Sequence, residues 1–235
     1  MNLKQTKTMQ AYRLSFVLIL LLLINQAVIA QVSTLDTQNQ LLREIWLDGS
    51  DLPPDLEGTP YDNDEFQTGK IFINNAQSIP ALLRYNAFED YIEVKDKNGI
   101  YALLKRDYVH ATIKGEKYAV FLYLIGKKEV KEGYFVPLTQ GPIILLKKKS
   151  KMYYYGSKGD GIRPDKPARF EDKTYYYLKV NDDIPKEVKL RKKSILGVLG
   201  NTGKTNKIIK EKDLNISEES NLVLLIKELN KTSRE

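Results

Sequence analysis

Gly200-Asn201-Thr202-Gly203-Lys204-Thr205 has the residue order that ends a phosphate-cradling loop, with Gly-Lys-Thr running into a helical pattern. Such a loop needs a glycine five residues before the second one, so that backbone N–H groups can close around the phosphates. Position 198 is Val198, Gly197 comes one residue too early, and no strand-like run leads in. The segment therefore reads as a glycine-rich turn between helices. His110 is the single histidine, set in an apolar strand-like run, and the chain has no cysteine. A zinc cluster, a thiol nucleophile, a disulfide and a lipid-bearing cysteine are all excluded by that composition. Neither a G-x-S-x-G elbow nor an S-x-x-K pair is present to activate a serine, so His110 reads as a packing or rim residue. Asp62-Asn63-Asp64-Glu65 opens like a calcium loop, but Phe66 stands where a ligand is needed and no glycine follows at the required place. A turn with capping acids is the simpler expectation. Two carboxylates could serve hydrolysis, yet no spacing among the thirty acids singles out a pair. No cofactor is expected.

The enrichment is in tyrosine, fifteen in all, including Tyr153-Tyr154-Tyr155 and Tyr175-Tyr176-Tyr177. Three in a row on a strand place rings on both faces. Inward rings belong to a core, and outward rings make an amphipathic surface suited to stacking or to an interface. Lys147, Lys148, Lys149 and Lys151 stand beside the first run, and Lys189, Arg191, Lys192 and Lys193 follow later. Charge runs are usually solvated faces that protect strand edges. If the chain binds something, the expected contact residues are Tyr153, Tyr154, Tyr155, Tyr175 and Tyr177, with Lys147, Lys149, Lys151, Arg163 and Arg169 supplying anionic complementarity. Alternation sends out either Tyr154 or the pair Tyr153 and Tyr155. The expected partners are an envelope protein, an anionic glycan or a lipid headgroup.

These residues need elements to hold them. Residues 1–13 carry Lys4, Lys7 and Arg13 without an acid, and Leu14 to Ile24 is apolar apart from Ser15. That is the pattern of an export signal, with Val28 and Ala30 at the positions a peptidase reads and cleavage before Gln31. Eleven apolar residues fall short of the roughly 20 that span a bilayer. No transmembrane segment is expected after cleavage. Shedding residues 1–30 removes three basic residues and takes the net charge from +7 to +4, which is not a nucleic-acid composition. The 205 residues left suit one domain. A short helix is expected within Thr34 to Leu47, followed by a linker through Pro53-Pro54, so that residues 31–58 form an N-terminal helix and linker. Residues 59–184 read as a β body. Its firmest hairpin is Tyr91 to Lys95, turned at Asn98-Gly99, returning through Ile100 to Leu104. A second runs from Tyr108 to Ile125 about Lys114-Gly115, and a third from Tyr134 to Lys149 about Gln140-Gly141. Tyr153 to Tyr155 and Thr174 to Val180 are further strands separated by an eighteen-residue loop, Gly156 to Lys173. The class is mainly β: an antiparallel meander closing as a barrel or packing as a sandwich. The strands are short for a membrane barrel. Residues 185–235 read as a C-terminal bundle of short helices, Leu190 to Leu199, Lys204 to Lys212 and Glu218 to Leu229. The last carries Leu222, Leu225, Ile226 and Leu229 on one stripe behind Ser217 as cap, docked on the β body.

Gly58-Thr59-Pro60-Tyr61-x-x-Asp64-Glu65-Phe66, Leu83-Arg84-Tyr85-Asn86, Glu89-Asp90-x-Ile92-Glu93 and Gly133-Tyr134-Phe135, with the helical tail, resemble a group of uncharacterised secreted proteins of Bacteroidetes-type bacteria. The resemblance implies a β-rich envelope protein and transfers no catalytic residues. The expected function is that of a non-catalytic periplasmic binding or structural protein. The alternatives are an acid-pair hydrolase acting on an envelope glycan or ester, and a carrier of a lipid or other apolar cargo. Extracellular or outer-membrane association is the alternative location, and the sequence leaves the oligomeric state open.

Overall fold

The computed structural model describes residues 41–44, 53, 55–74, 77–126, 129–160, 164–200 and 202–231. The expected export signal, residues 1–30, and Arg163 lie outside them. The chain divides into two compact units, residues 1–43 and 44–235. Across that division lies strand β1 (Leu42–Glu44), so this part of the expected N-terminal helix is extended chain; the rest of it falls outside the described residues.

In the second unit the strands are β2 (Gln67–Ile73), β3 (Gln77–Asn86), β4 (Tyr91–Lys95), β5 (Ile100–Leu103), β6 (Val109–Ile113), β7 (Glu116–Ile125), β8 (Glu129–Pro137), β9 (Ile143–Tyr154), β10 (Arg169–Val180) and β11 (Lys186–Val188). They pair in the order β5-β4-β3-β2-β6-β7-β8-β9-β10-β11, antiparallel throughout. The sheet does not close on itself, which corrects the expectation of a barrel. The hairpin about Asn98-Gly99 forms as expected, with Asp96 Oδ1 accepting from the N–H groups of Asn98 and Gly99. Lys114 and Gly115 supply the positive φ angles of the second turn. The third expected hairpin is a minor pairing: β8 meets β9 at Val136 and Pro137 only, and its long partner is β7. Strands β9 and β10 pair over twelve residues, from Arg169 opposite Tyr154 to Val180 opposite Ile143. Arg169 to Lys173 are therefore strand, and the connection is shorter than the sequence suggests.

The connection between β5 and β6 dictates the curvature. In a flat sheet these strands would stand four spacings apart, about 19 Å. Six peptide steps, fully extended, reach only about 20–22 Å, and Val109 N–H turns back to Arg106 O. The sheet must therefore curl. It does so until Tyr134 of β8 donates to Leu103 O of β5 at 3.2 Å and Tyr85 of β3 donates to Lys149 O of β9 at 3.2 Å.

Three helices follow, α1 (Lys192–Leu199), α2 (Gly203–Glu211) and α3 (Glu219–Lys231). Thr202 caps α2 by accepting from Thr205 N–H, so Gly200 to Thr205 is a turn between helices. Glu218, and not Ser217, immediately precedes α3. The expected stripe is the buried one: Leu222, Leu225, Ile226 and Leu229 pack with Ile195 over Leu145, Leu178 and Val188 of the sheet. Asn230 fastens the far end of α3, donating to Gln140 O and Ile143 O and accepting from Ile143 N–H. Among the described residues no helix is long and apolar enough to cross a membrane.

Candidate functional site

The register of β9 and β10 settles which tyrosines share a face. Leu145, Lys147, Lys149, Lys151 and Tyr153 lie on the helix side, opposite Leu178, Tyr176, Thr174, Asp172 and Phe170. At the end remote from the helices Tyr153 packs on Phe170, their centroids 5.2 Å apart. Tyr155 stands edge-on to Tyr153 at 5.0 Å, and Phe88 edge-on to Phe170 at 5.2 Å. The four rings form a ladder, Phe88-Phe170-Tyr153-Tyr155. Tyr155 is 85% exposed and Phe88 44%.

The ladder is held from below. Asn86 Oδ1 accepts from Phe88 N–H and Glu89 N–H, while Pro60 O receives Ala87 N–H and Phe88 N–H. Lys151 N–H donates to Ala87 O, tying this turn to β9. Glu57 exchanges backbone bonds with Ala168 and Phe170. Gly58, at φ +73°, lies so close to Phe170 that a Cβ there would be 3.1 Å from its carbonyl oxygen. Only glycine meets both conditions without strain. On the other face Arg169 covers the Tyr154 ring at 4.9 Å and is bound by Glu171 at 2.8 Å. Arg169 and Lys173 together hold the Glu171 carboxyl below its ordinary pKa.

The other expected contact residues are engaged inside the chain. Lys147 pairs with Glu219 at 2.8 Å, Lys151 with Asp172 at 2.8 Å, and Lys149 with Asp62 at 2.8 Å and Glu116 at 2.6 Å. Tyr175 is half-buried with its hydroxyl 3.9 Å from Met152 Sδ. Tyr177 is in the core, edge-on to Tyr123 and Phe135. Phe88 and Phe170, which complete the ladder, carry no sequence signal of their own; Phe88 is brought in by a turn far away in the chain.

The sequence boxes converge next to the ladder. Arg84 donates to Glu93 Oε2 from Nε at 3.0 Å and from Nη2 at 2.6 Å, and to Asp64 O at 2.7 Å. Its guanidinium lies 3.5 Å from the Tyr61 ring centroid and 4.4 Å from that of Phe66. Burial and the Glu93 carboxylate raise the Tyr61 phenol. Asp90, at φ +58°, accepts from Tyr85 OH at 2.8 Å and Tyr134 N–H at 3.2 Å. It also pairs with Lys148 at 2.9 Å and Lys105 at 3.0 Å. Burial lowers the Lys148 ammonium and the Asp90 carboxylate opposes it; burial, then Asp90, raises Tyr85 well above the ordinary range. Asp62 and Glu116 bring two carboxylates together, but Lys149 Nζ binds both, at 2.8 and 2.6 Å, and Tyr118 OH reaches both at 3.2 Å. Asp62-Asn63-Asp64-Glu65 forms a turn in which Asn63 Oδ1 accepts from Glu65 N–H. Among the described residues no group of three or more His, Asp or Glu side chains could hold a metal ion. His110 lies on β6, its ring stacked on Phe72 at 4.7 Å and 4°. No family model, curated protein or solved structure matches this chain.

Proposed function

We propose that this chain is a non-catalytic binding protein of the cell envelope, periplasmic once residues 1–30 are removed, and that it grips a protein partner through the Phe88-Phe170-Tyr153-Tyr155 ladder. In this reading it belongs with the secreted β-rich proteins that its sequence boxes resemble, and its curled sheet works as a two-layered, sandwich-like scaffold. The observation that carries the proposal is the 85% exposure of Tyr155 at the end of a fixed aromatic stack. A rigid ring with a polar tip loses little entropy on docking and is the type of side chain that anchors protein interfaces. The rings meet edge-on or tilted and not coplanar, so they offer a knob that fills a pocket better than a flat platform for a sugar chain. The neighbouring charges support a binding role over an acid-pair hydrolase, because Lys149 occupies the gap in which a scissile bond would have to sit.

The test is a crosslink placed at the anchor. A photoreactive amino acid at position 155 of the full chain, made in the cell that exports it, should yield one discrete protein adduct in the osmotic-shock fraction. The same group at Leu224, exposed on α3, should yield none. Adducts only to glycan, or identical adducts from both positions, would eliminate the protein partner. Recovery of the chain only from detergent extracts would overturn the location.

A further inference from the structure

At the opposite end of the β9–β10 hairpin, about 30 Å along β10 from Phe170, a half-open cleft of about 470 Å³ lies between strands β6 and β7 and the turn that joins β10 to β11. That volume is in the range of small-molecule sites. Two large apolar side chains left in solvent line it: Tyr108 is 44% exposed and Ile184 38%. They come from separate segments, and Phe121, on the same face of β7 as Ala119 opposite His110, extends the apolar lining from a third. A contiguous apolar surface assembled from three parts of a chain, rimmed by polar groups, marks a binding site more often than scattered exposure does.

The polar groups define the ligand. His110 is held in one plane by its stack on Phe72, and burial together with the Lys117 charge keeps its pKa below the ordinary value. The neutral ring therefore offers one donor and one acceptor nitrogen. Lys179 is neutralised by Asp182 of the same lining, 3.9 Å away, and donates to Asn181 O. Among the described residues Asp107 and Asp183 are in no ion pair, and Lys117 is the remaining cation of the lining. Two carboxylates against one ammonium leave the cleft with an uncompensated negative charge.

We propose that this cleft binds a small planar aromatic molecule carrying a protonated amine. Its ring lies on Tyr108, Phe121 and Ile184, a ring N–H or hydroxyl bonds to His110, and its ammonium faces Asp107 and Asp183. The site is independent of the aromatic ladder, so either can fail without the other.

The chain contains one histidine, and the imidazole resonances of His110 in ¹H–¹³C spectra are therefore an unambiguous reporter. The full exported chain would be titrated with three probes of similar shape: tryptamine, 3-methylindole and indole-3-propionate. Saturable shifts of His110 with tryptamine, at a Kd at least tenfold below that of the propionate, are expected. Asp107→Asn with Asp183→Asn should abolish that preference while 3-methylindole binding stays unchanged, and Ile184→Ser should weaken all three severalfold. Absence of saturable shifts with every probe, tightest binding by the propionate, or an unchanged preference in the double variant would each overturn the proposal.

Discussion

The two faces of β9 bury their side chains by opposite means. On the helix side Leu145 lies under Leu222, Leu225, Ile226 and Leu229, an apolar seam with little directional content. On the other face Leu146 sits among Tyr123, Phe135 and Tyr177, and two residues further on Lys148 is buried. Its ammonium lies about equally far from the Tyr123 and Phe135 rings, 5.1 and 5.0 Å from their centroids, and 2.9 Å from Asp90. Apolar contacts degrade gradually as atoms are removed, whereas a buried ion stands or falls with its partner. One strand thus carries a tolerant face and an exacting one.

Removing Asp90 should break the exacting face most severely. Asp90→Ala takes the acceptor away from Lys148, Lys105, Tyr85 and the Tyr134 amide together. The expected loss is about 3–5 kcal/mol, the cost of an uncompensated buried charge. Lys148→Met, which removes a cation but leaves Asp90 paired with Lys105, should cost much less, on the order of 1 kcal/mol. Urea melts of the two variants compare them directly, and equal losses would mean that the network is not centred on Asp90. The tolerant face has its own measure in Leu225, fully buried in the seam. Leu225→Ala should cost about 2–4 kcal/mol with cooperativity kept.

A smaller effect tests how closely the exacting face is fitted. A Cβ on Gly133 would stand 2.8 Å from Tyr123 Cε1, 2.9 Å from Lys148 Nζ and 3.0 Å from Asp90 Oδ2. Gly133→Ala should therefore cost about 1–3 kcal/mol by overpacking, and pairing it with Lys148→Met should recover part of that loss. Strictly additive losses would show that the ammonium is not what the methyl group displaces.

The same comparison explains what was legible in the sequence. Where one face was apolar and turn residues were distinctive, the elements were readable: the Asn98-Gly99 and Lys114-Gly115 hairpins and the α3 stripe. Where polar residues are interior, the reading failed. Lys147 to Lys149 have the look of a solvated edge, yet each is paired within the fold, and Glu93, fully buried against Arg84, interrupts the alternation of β4. Pairing partners distant in the chain were also out of reach. The curl imposed by the β5–β6 connection and the meeting of Phe88 with Phe170 depend on tertiary geometry that local pattern does not encode. The tyrosine runs fall on the two paired strands β9 and β10, but alternation alone could not separate exposed Tyr155 from buried Tyr177.

The smallest effect belongs where the tolerant face borrows polar contacts. Glu219, at the start of α3, accepts from Tyr176 OH at 2.7 Å and pairs with Lys147 at 2.8 Å, joining the helix to the sheet. Burial pushes its carboxyl pKa up, but the bonds from Lys147 and Tyr176 outweigh that and hold it below the ordinary value. A carboxyl with a lowered folded pKa binds its proton less readily folded than unfolded. Its contribution is therefore complete above the unfolded value of about 4.3 and lost as pH falls through the folded one. With the Glu219 side chain 35% exposed, solvent screens the pair, and Glu219→Gln should cost no more than about 1 kcal/mol near neutrality. Thermal melts should show the gap between wild type and variant at pH 6–7 and its closure below about pH 4. A gap that persists or widens in acid would mean that α3 is held by apolar burial alone and that the carboxylate is incidental.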